Sequence, residues 1–158
     1  VLDLYREAAE LGSGAAAWRA GMMIRNGDGT RANPREAYRW VRRAAELDNV
    51  EGMISLAVML ATGEGVAEND AQARQWYERA AQAGSSHALT SLGAMHVIGE
   101  GGPVDEARGI ALLRIAATRN ANAREMLAAI ARMELEVSDE EIDAEARAWL
   151  EQYGPPQF

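Results

Sequence analysis

The residues best suited to metal binding and acid–base catalysis are few and far apart in this chain. It contains two histidines, His87 and His96, and no cysteine. A metal-binding pair of histidines on one helix is usually about four positions apart, whereas these two are nine apart. The sequence therefore predicts no metal site, no cofactor and no catalytic residue. We expect His96 to face a packed interior and His87 to face solvent.

Three glycine-rich segments, at residues 26–29, 62–65 and 98–101, have compositions that suggest a calcium or phosphate loop. Each holds an acidic residue, Asp28, Glu64 or Glu100, where a phosphate site needs a lysine or unobstructed backbone amides. A calcium loop needs a glutamate at its twelfth position, and the first segment has none there. We therefore interpret all three segments as turns.

The charge of the chain excludes some classes of partner. All 16 basic residues are arginine, and the net charge is −8, which argues against nucleic acid because phosphates need a basic face. The charge is uneven: residues 1–49 carry +1, residues 50–120 carry −3 and residues 121–158 carry −6. Apolar runs are short and interrupted by charge, so we expect no membrane insertion.

An internal repeat determines the spacing of these segments. Gly27, Gly63 and Gly99 are each 36 residues apart, and a fixed period of this size indicates a stacked array of supersecondary units. Two further sets keep the same step: the alanine pairs at 8–9, 44–45, 80–81 and 116–117, and the large residues Leu4, Trp40, Trp76 and Leu112.

Each unit has the pattern of two helices. We predict the first helices at about residues 15–26, 51–62, 87–98 and 122–134, each ending at a glycine where the turn is intact. The second helices begin near Pro34, Asp70 and Asp105, residue types that favour a first helical turn. Ala37, Trp40 and Ala44 have the three- and four-residue spacing of one buried stripe.

This pattern resembles the Sel1-like repeat family. The matching motifs are Ala88-x-x-x-Leu92-Gly93, then the Gly-x-Gly turn, then Ala73-x-x-Trp76-Tyr77-x-x-Ala80-Ala81-x-x-Gly84. The resemblance implies an all-α, right-handed α-solenoid of antiparallel helix hairpins, related to tetratricopeptide repeats. It divides one repeat domain, residues 1–158, into the second helix of a preceding repeat (1–12), three repeats (14–49, 50–85 and 86–120) and a degenerate repeat with a C-terminal capping helix (121–158).

Both ends of the array depart from the regular pattern. Ser138-Asp139-Glu140-Glu141 has the form of a capping box, and we expect its helix to run to about Tyr153 and to end at Gly154. The acidic residues here are interpreted as a solvated cap. The third repeat has Gly109 inside a helix, where glycine costs about 1 kcal/mol relative to alanine, so we expect it to be the least stable repeat.

The resemblance implies a non-catalytic scaffold or adaptor that binds a partner protein. In related repeats the first helix of each unit lines the concave surface, and solenoids bind partners there. By that analogy an apolar patch with charged neighbours suits a helix or an extended peptide. An alternative is that Trp18 and Ile54 only complete packing between repeats. The predicted partner-binding residues are Trp18, Met22, Arg25, Glu51, Ile54, Val58, His87 and Thr90.

Other functions stay open. A nearly neutral N-terminal end and an acidic C-terminal end could stack head to tail and self-assemble. The chain begins at Val1 with an unpaired helix, so it could also be an accessory module of a larger enzyme or sensor. The family is associated with envelope, exopolysaccharide and signalling pathways, and we therefore expect a bacterial protein, with the periplasm favoured over the cytoplasm.

Overall fold

The computed structural model describes all residues 1–158, which form nine α-helices and no strand. This confirms the predicted all-α class. The helices are α1 (Leu2–Glu10), α2 (Gly14–Asn26), α3 (Pro34–Glu46), α4 (Val50–Thr62), α5 (Asp70–Gln82), α6 (Ser86–Ile98), α7 (Glu106–Ala116), α8 (Ala121–Ile130) and α9 (Asp139–Tyr153).

The helix ends follow from local sequence. Gly27, Gly63 and Gly99 end α2, α4 and α6 in the left-handed region, with φ of 80°, 70° and 76°, a conformation that other residues adopt only at a steric cost. The predicted turns are therefore confirmed. Polar side chains accept backbone hydrogen bonds at most helix starts, as Asn33 does from Glu36 N.

The chain divides into two compact units, Val1–Trp76 and Tyr77–Phe158. In the first unit small residues bring the helices close together. A Cβ atom on Gly21 would lie 2.7 Å from Val41 Cγ2, and one on Gly52 would lie 2.6 Å from Ala44 Cβ. The interiors of the hairpins are therefore built largely from alanine, glycine and aliphatic side chains.

The second unit contains the degenerate repeat. Its first helix, α8, ends at Ile130, four residues before the predicted end at 134. In the segment that follows, Leu135 and Val137 pack against a cluster that includes Ile110 of α7 and Ile142 of α9. The predicted capping box is confirmed: Ser138 Oγ accepts from Glu141 N, and Glu141 accepts from Ser138 N.

Beyond Gly154 the chain returns to an earlier turn. Gln157 N donates to the carbonyl oxygen of Gly84 at 2.8 Å, and Ser86 N donates to the carbonyl oxygen of Phe158 at 2.7 Å. The sequence predicted the end of α9 but not this contact.

Candidate functional site

Four of the predicted binding residues form a face of the first unit. Trp18 and Met22 lie on α2, Ile54 and Val58 lie on α4, and all four are half-buried. Glu51, at the first turn of α4, is exposed. We call Trp18, Met22, Ile54 and Val58 the α2/α4 face.

Trp18 is anchored within this face. Its Nε1–H donates to Ser55 Oγ on α4 at 2.9 Å, and its ring packs against a cluster that includes Ala9 and Ala44. The guanidinium carbon of Arg19 lies 5.0 Å from the ring centroid, within the range of a cation–π contact. Trp18 therefore packs against neighbouring helices, which is the alternative role considered for it. Only part of its ring is accessible to a partner.

Arg25 is engaged by another residue of the same unit. Its Nε and Nη2 donate to the two carboxylate oxygens of Glu64, each at 2.7 Å. These hydrogen bonds raise the pKa of the Arg25 guanidinium. A partner carboxylate would have to displace Glu64 from a bidentate pair, which is a strong arrangement.

The predicted site residues of the second unit differ in accessibility. His87 is exposed at the first turn of α6, whereas Thr90 is buried. The Thr90 hydroxyl donates to the carbonyl oxygen of Ser86 at 2.8 Å, so the expectation that Thr90 is available on a surface needs correction: its hydroxyl is used one turn earlier in the helix. His96 is buried, and His87 is exposed, as expected.

An apolar groove in the second unit was not anticipated from the sequence. It has a volume of about 440 Å³. It opens because α8 packs less closely against α6 and α7 than α4 packs against α2 and α3. Ile98 is 66% exposed and Met133 is 57% exposed. The residues lining this α6/α8 groove are Ala94, Val97, Ile98, Glu106, Leu113, Met126, Ala129, Ile130, Met133 and Leu135.

Two sequence signals could have indicated the groove. Met126 and Met133 are large apolar residues seven positions apart, a spacing that suits one face of the predicted helix 122–134, although α8 ends at Ile130 and Met133 lies in the segment that follows it. The Gly-x-Gly turn that ends the earlier first helices is lost after residue 134. Neither signal reports how far α8 stands from α6, which is a property of packing.

No group of three or more His, Asp or Glu side chains is placed to hold a metal ion. No helix is both long and apolar enough to span a membrane. The acidic residues of the glycine-rich turns serve structure where their contacts are known, as Glu64 does with Arg25.

Comparison with known proteins identifies the repeat. The Sel1 repeat family model matches residues 2–13, 14–49, 50–85 and 86–120. A Sel1 repeat protein from Oxalobacter formigenes is similar, with 32% identity, a TM-score of 0.74, and coverage of 82% of this chain and 99% of that chain. No curated protein is significantly similar to the chain.

Two more distant structures share the fold. One is c5321, a protective antigen present in uropathogenic Escherichia coli strains and displaying an SLR fold, with 20% identity, a TM-score of 0.69, and coverage of 97% of this chain and 41% of that chain. The other is Helicobacter pylori cysteine-rich protein B, with 19% identity, a TM-score of 0.62, and coverage of 79% of this chain and 90% of that chain. This chain has no cysteine, so disulfides do not contribute to its hairpins.

Proposed function

The chain belongs to the Sel1 repeat family, and we propose that it is a non-catalytic adaptor that binds an amphipathic helix of a partner protein in the α6/α8 groove. Sel1 repeat proteins are generally protein-interaction scaffolds, and their families are typically non-catalytic. The binding site and the type of partner are the parts that this proposal adds.

The exposed apolar surface of the groove is the observation that carries the proposal. Ile98, Met126 and Met133 are all large apolar residues with exposed side chains that line one depression. Burying such side chains contributes about 1.5–3 kcal/mol each, and clustered apolar surface on a folded protein marks an interaction site more often than scattered residues do.

The shape and chemistry of the groove favour a helix. Two helices, α6 and α8, form its walls, and a third helix laid between them would complete a helical layer by ridge-and-groove packing. Methionine side chains adapt to irregular partner surfaces. Glu106 lines the groove, and residues 121–158 carry a net charge of −6. We therefore expect a partner helix with apolar residues at i, i+3, i+4 and i+7 and with basic flanks.

The α2/α4 face is the second surface that the sequence analysis proposed for a partner. Its members are half-buried, and the indole of Trp18 already has a hydrogen-bond partner in Ser55. Arg25, also predicted to bind a partner, is hydrogen-bonded to Glu64. The α6/α8 groove is the better candidate because three of its large side chains, Ile98, Met126 and Met133, are exposed. The α2/α4 face supplies a matched control, since it also lies between two first helices.

The experiment compares the two surfaces with one identified partner. Crosslinking and mass spectrometry with the full chain identify a partner and the segment that contacts it. That segment, as a labelled peptide, is then titrated with the full chain, with an Ile98→Ser/Met133→Ser variant and with a Trp18→Ala/Ile54→Ala variant. We expect the groove variant to weaken binding by roughly tenfold or more and the control variant to leave it nearly unchanged.

Two results would overturn the proposal. Loss of binding only in the Trp18→Ala/Ile54→Ala variant would move the site to the α2/α4 face. Equal binding by all three proteins, or a partner segment without an apolar helical face, would remove the groove from the function. Circular dichroism of both variants distinguishes lost binding from lost folding.

We propose a bacterial envelope compartment, with the periplasm favoured, as the place of this function. The similar structures come from bacteria, and the family resemblance favours envelope, exopolysaccharide or signalling pathways. Fractionation of the source cells with an antibody to the chain tests this. Recovery with cytoplasmic markers alone would contradict it.

A further inference from the structure

The C-terminal tail, residues 154–158, binds the turn between α5 and α6 through its backbone. Gln157 N and Phe158 N donate to the carbonyl oxygen of Gly84 at 2.8 and 3.3 Å, and Ser86 N donates to the carbonyl oxygen of Phe158 at 2.7 Å. Pro156 is buried, and so are Gly84, Ser85 and Ser86. The 84–86 turn is therefore a binding site for an extended peptide, occupied by the tail of the same chain.

The turn between α1 and α2 has the same construction. Gly12 has φ of 99°, and Gly84 has φ of 97°. Ser13 caps α2 by accepting from Ala16 N, as Ser85 caps α6 by accepting from Ala88 N. The amide of the next residue, Gly14 or Ser86, is the first of its helix, so it has no acceptor inside that helix.

The 12–14 turn differs in being open where the tail would lie. A Cβ atom on Gly84 would lie 3.0 Å from Gln157 Cγ, whereas one on Gly12 would have no heavy atom within 4 Å. Gly12 is exposed, and Gly84 is buried. The two turns thus share a backbone geometry, but the tail covers the 84–86 turn and nothing covers Gly12 in the 12–14 turn.

The remaining turns of this type do not offer the site. The turn between α3 and α4 has Asp48 in the left-handed position, with φ of 58°, and its Cβ would fill the space that Gln157 takes against Gly84. The turn between α7 and α8 has no residue with positive φ. Among the equivalent turns, the 12–14 turn is therefore the one that has the backbone geometry of the 84–86 turn and also has open space where the tail would bind.

We propose that the 12–14 turn binds the C-terminal tail, residues 154–158, of a second copy of this chain. In this contact Gly12 O accepts from Gln157 N of the second copy, and Gly14 N donates to its Phe158 O. Charge does not oppose the approach, since residues 1–49 carry +1 and residues 121–158 carry −6. Because the tail also binds its own 84–86 turn, association is weak until that intramolecular contact opens.

A peptide titration tests the site directly. The hexapeptide Tyr-Gly-Pro-Pro-Gln-Phe, which is the sequence of residues 153–158, is added to the isotope-labelled full chain, and amide shifts are followed by NMR. We expect saturable shifts at Gly12, Ser13 and Gly14. The control peptide has proline in place of glutamine, so it lacks the donor amide of the shorter hydrogen bond and should produce much smaller shifts. Shifts confined to residues 84–86, equal shifts with the control peptide, or no shifts would each overturn the proposal.

Sedimentation equilibrium tests association between whole chains. Ser86→Pro removes one of the three backbone hydrogen bonds that hold the tail in its own turn, at a helix position that tolerates proline, so it should raise the fraction of dimer and larger species. Adding Gly14→Pro should lower the association constant roughly fivefold, the effect of one hydrogen bond. The controls are Ser86→Ala and Gly14→Ala, which keep the amides; thermal melts check that each variant folds. A Ser86→Pro protein that stays monomeric, or one indifferent to Gly14→Pro, would contradict the contact.

Discussion

Glu78 accepts a hydrogen bond from Arg108 Nη2 at 2.8 Å. At the equivalent positions two repeats earlier, Arg6 Nη2 donates to Glu36 at 2.7 Å, so the acidic and the basic residue have exchanged places. Each residue of one pair lies two 36-residue periods from its counterpart in the other. At the intermediate position Gln72 is uncharged, and Arg42 pairs instead with Glu46. An ion pair thus joins α1 to α3 and another joins α5 to α7. Either helix of a pair can carry the acidic residue, because the attraction depends only on the two charges being opposite.

Exchanging the charges of Arg6 and Glu36 should therefore be tolerated. Both side chains are about one-third exposed, so we expect Arg6→Glu or Glu36→Arg alone to lower the free energy of unfolding by roughly 0.5–1 kcal/mol, and the double variant to recover most of that loss. Urea denaturation at low salt measures all four proteins. High salt should shrink the differences. Additive losses in the double variant would show that the pair contributes nothing.

Gly93 and Gly109 bring α6 and α7 into close contact. A Cβ atom on Gly109 would lie 2.7 Å from the carbonyl oxygen of Gly93 and 2.7 Å from Val97 Cγ2. Conversely, one on Gly93 would lie 2.9 Å from the carbonyl oxygen of Gly109. The glycine inside α7 therefore has a packing reason that its helix propensity alone does not reveal. Whether this repeat is the least stable stays a prediction.

Gly109→Ala should destabilise the chain although alanine favours helices. The gain in propensity is about 1 kcal/mol, but overpacking a close helix contact costs about 1–3 kcal/mol, and the crowded carbonyl belongs to the backbone and cannot rotate away. We expect a net loss in urea denaturation. A second variant, Gly109→Ala/Val97→Ala, relieves only the side-chain contact and should not restore stability. A more stable Gly109→Ala protein would show that the helices separate at little cost.

The hairpins and their ends were predictable because their causes are local. Gly27, Gly63 and Gly99 repeat at the period of the fold, and each adopts the left-handed conformation for which glycine is suited. The Ser138 capping box depends on residues three positions apart. Patterns of this range are written in one sequence without any knowledge of packing.

The surfaces were less predictable because they depend on distances between helices. Thr90 had the position of an outward residue, but it lies among the eight buried residues of α6. The α6/α8 groove arises from the displacement of α8, and the tail contact joins residues 84 and 157, which no local pattern connects. The 36-residue period assigns a residue to a helix. It does not determine how closely the helix of a degenerate repeat packs against the neighbouring helices.

The capping box of α9 should respond to acid. Hydrogen bonds from Ser138 N and from the Ser138 hydroxyl to Glu141 hold the pKa of that carboxyl below its usual 4.5. The unfolded chain therefore takes up the proton at a higher pH than the folded chain does. The stabilisation from Glu141 is present above about pH 4.5 and is lost as the pH falls through the depressed pKa.

Carboxyl-detected NMR titration of Glu141 measures this effect. We expect a pKa below that of an unstructured glutamate in the native chain, and a rise toward the ordinary value in Ser138→Ala, which removes the hydroxyl donor. Glu140→Gln serves as the control, because Glu140 is exposed in the same turn and takes no part in the box. An unchanged Glu141 pKa in Ser138→Ala would assign the shift to the backbone amide alone.

The α6/α8 groove should contribute little to folding even though its side chains are large. Ile98 and Met133 are mostly exposed, so Ile98→Ser/Met133→Ser should change the free energy of unfolding by no more than about 1 kcal/mol, the sum of two surface substitutions. Met95→Ala, on the same helix at a buried position, should cost about 2–5 kcal/mol. An environment-sensitive apolar dye should bind the native chain and lose part of its fluorescence with the serine variant, because the groove gathers three exposed apolar side chains, Ile98, Met126 and Met133. A serine variant as unstable as Met95→Ala would show that the groove side chains are part of the core, and it would leave no free surface there for a partner helix.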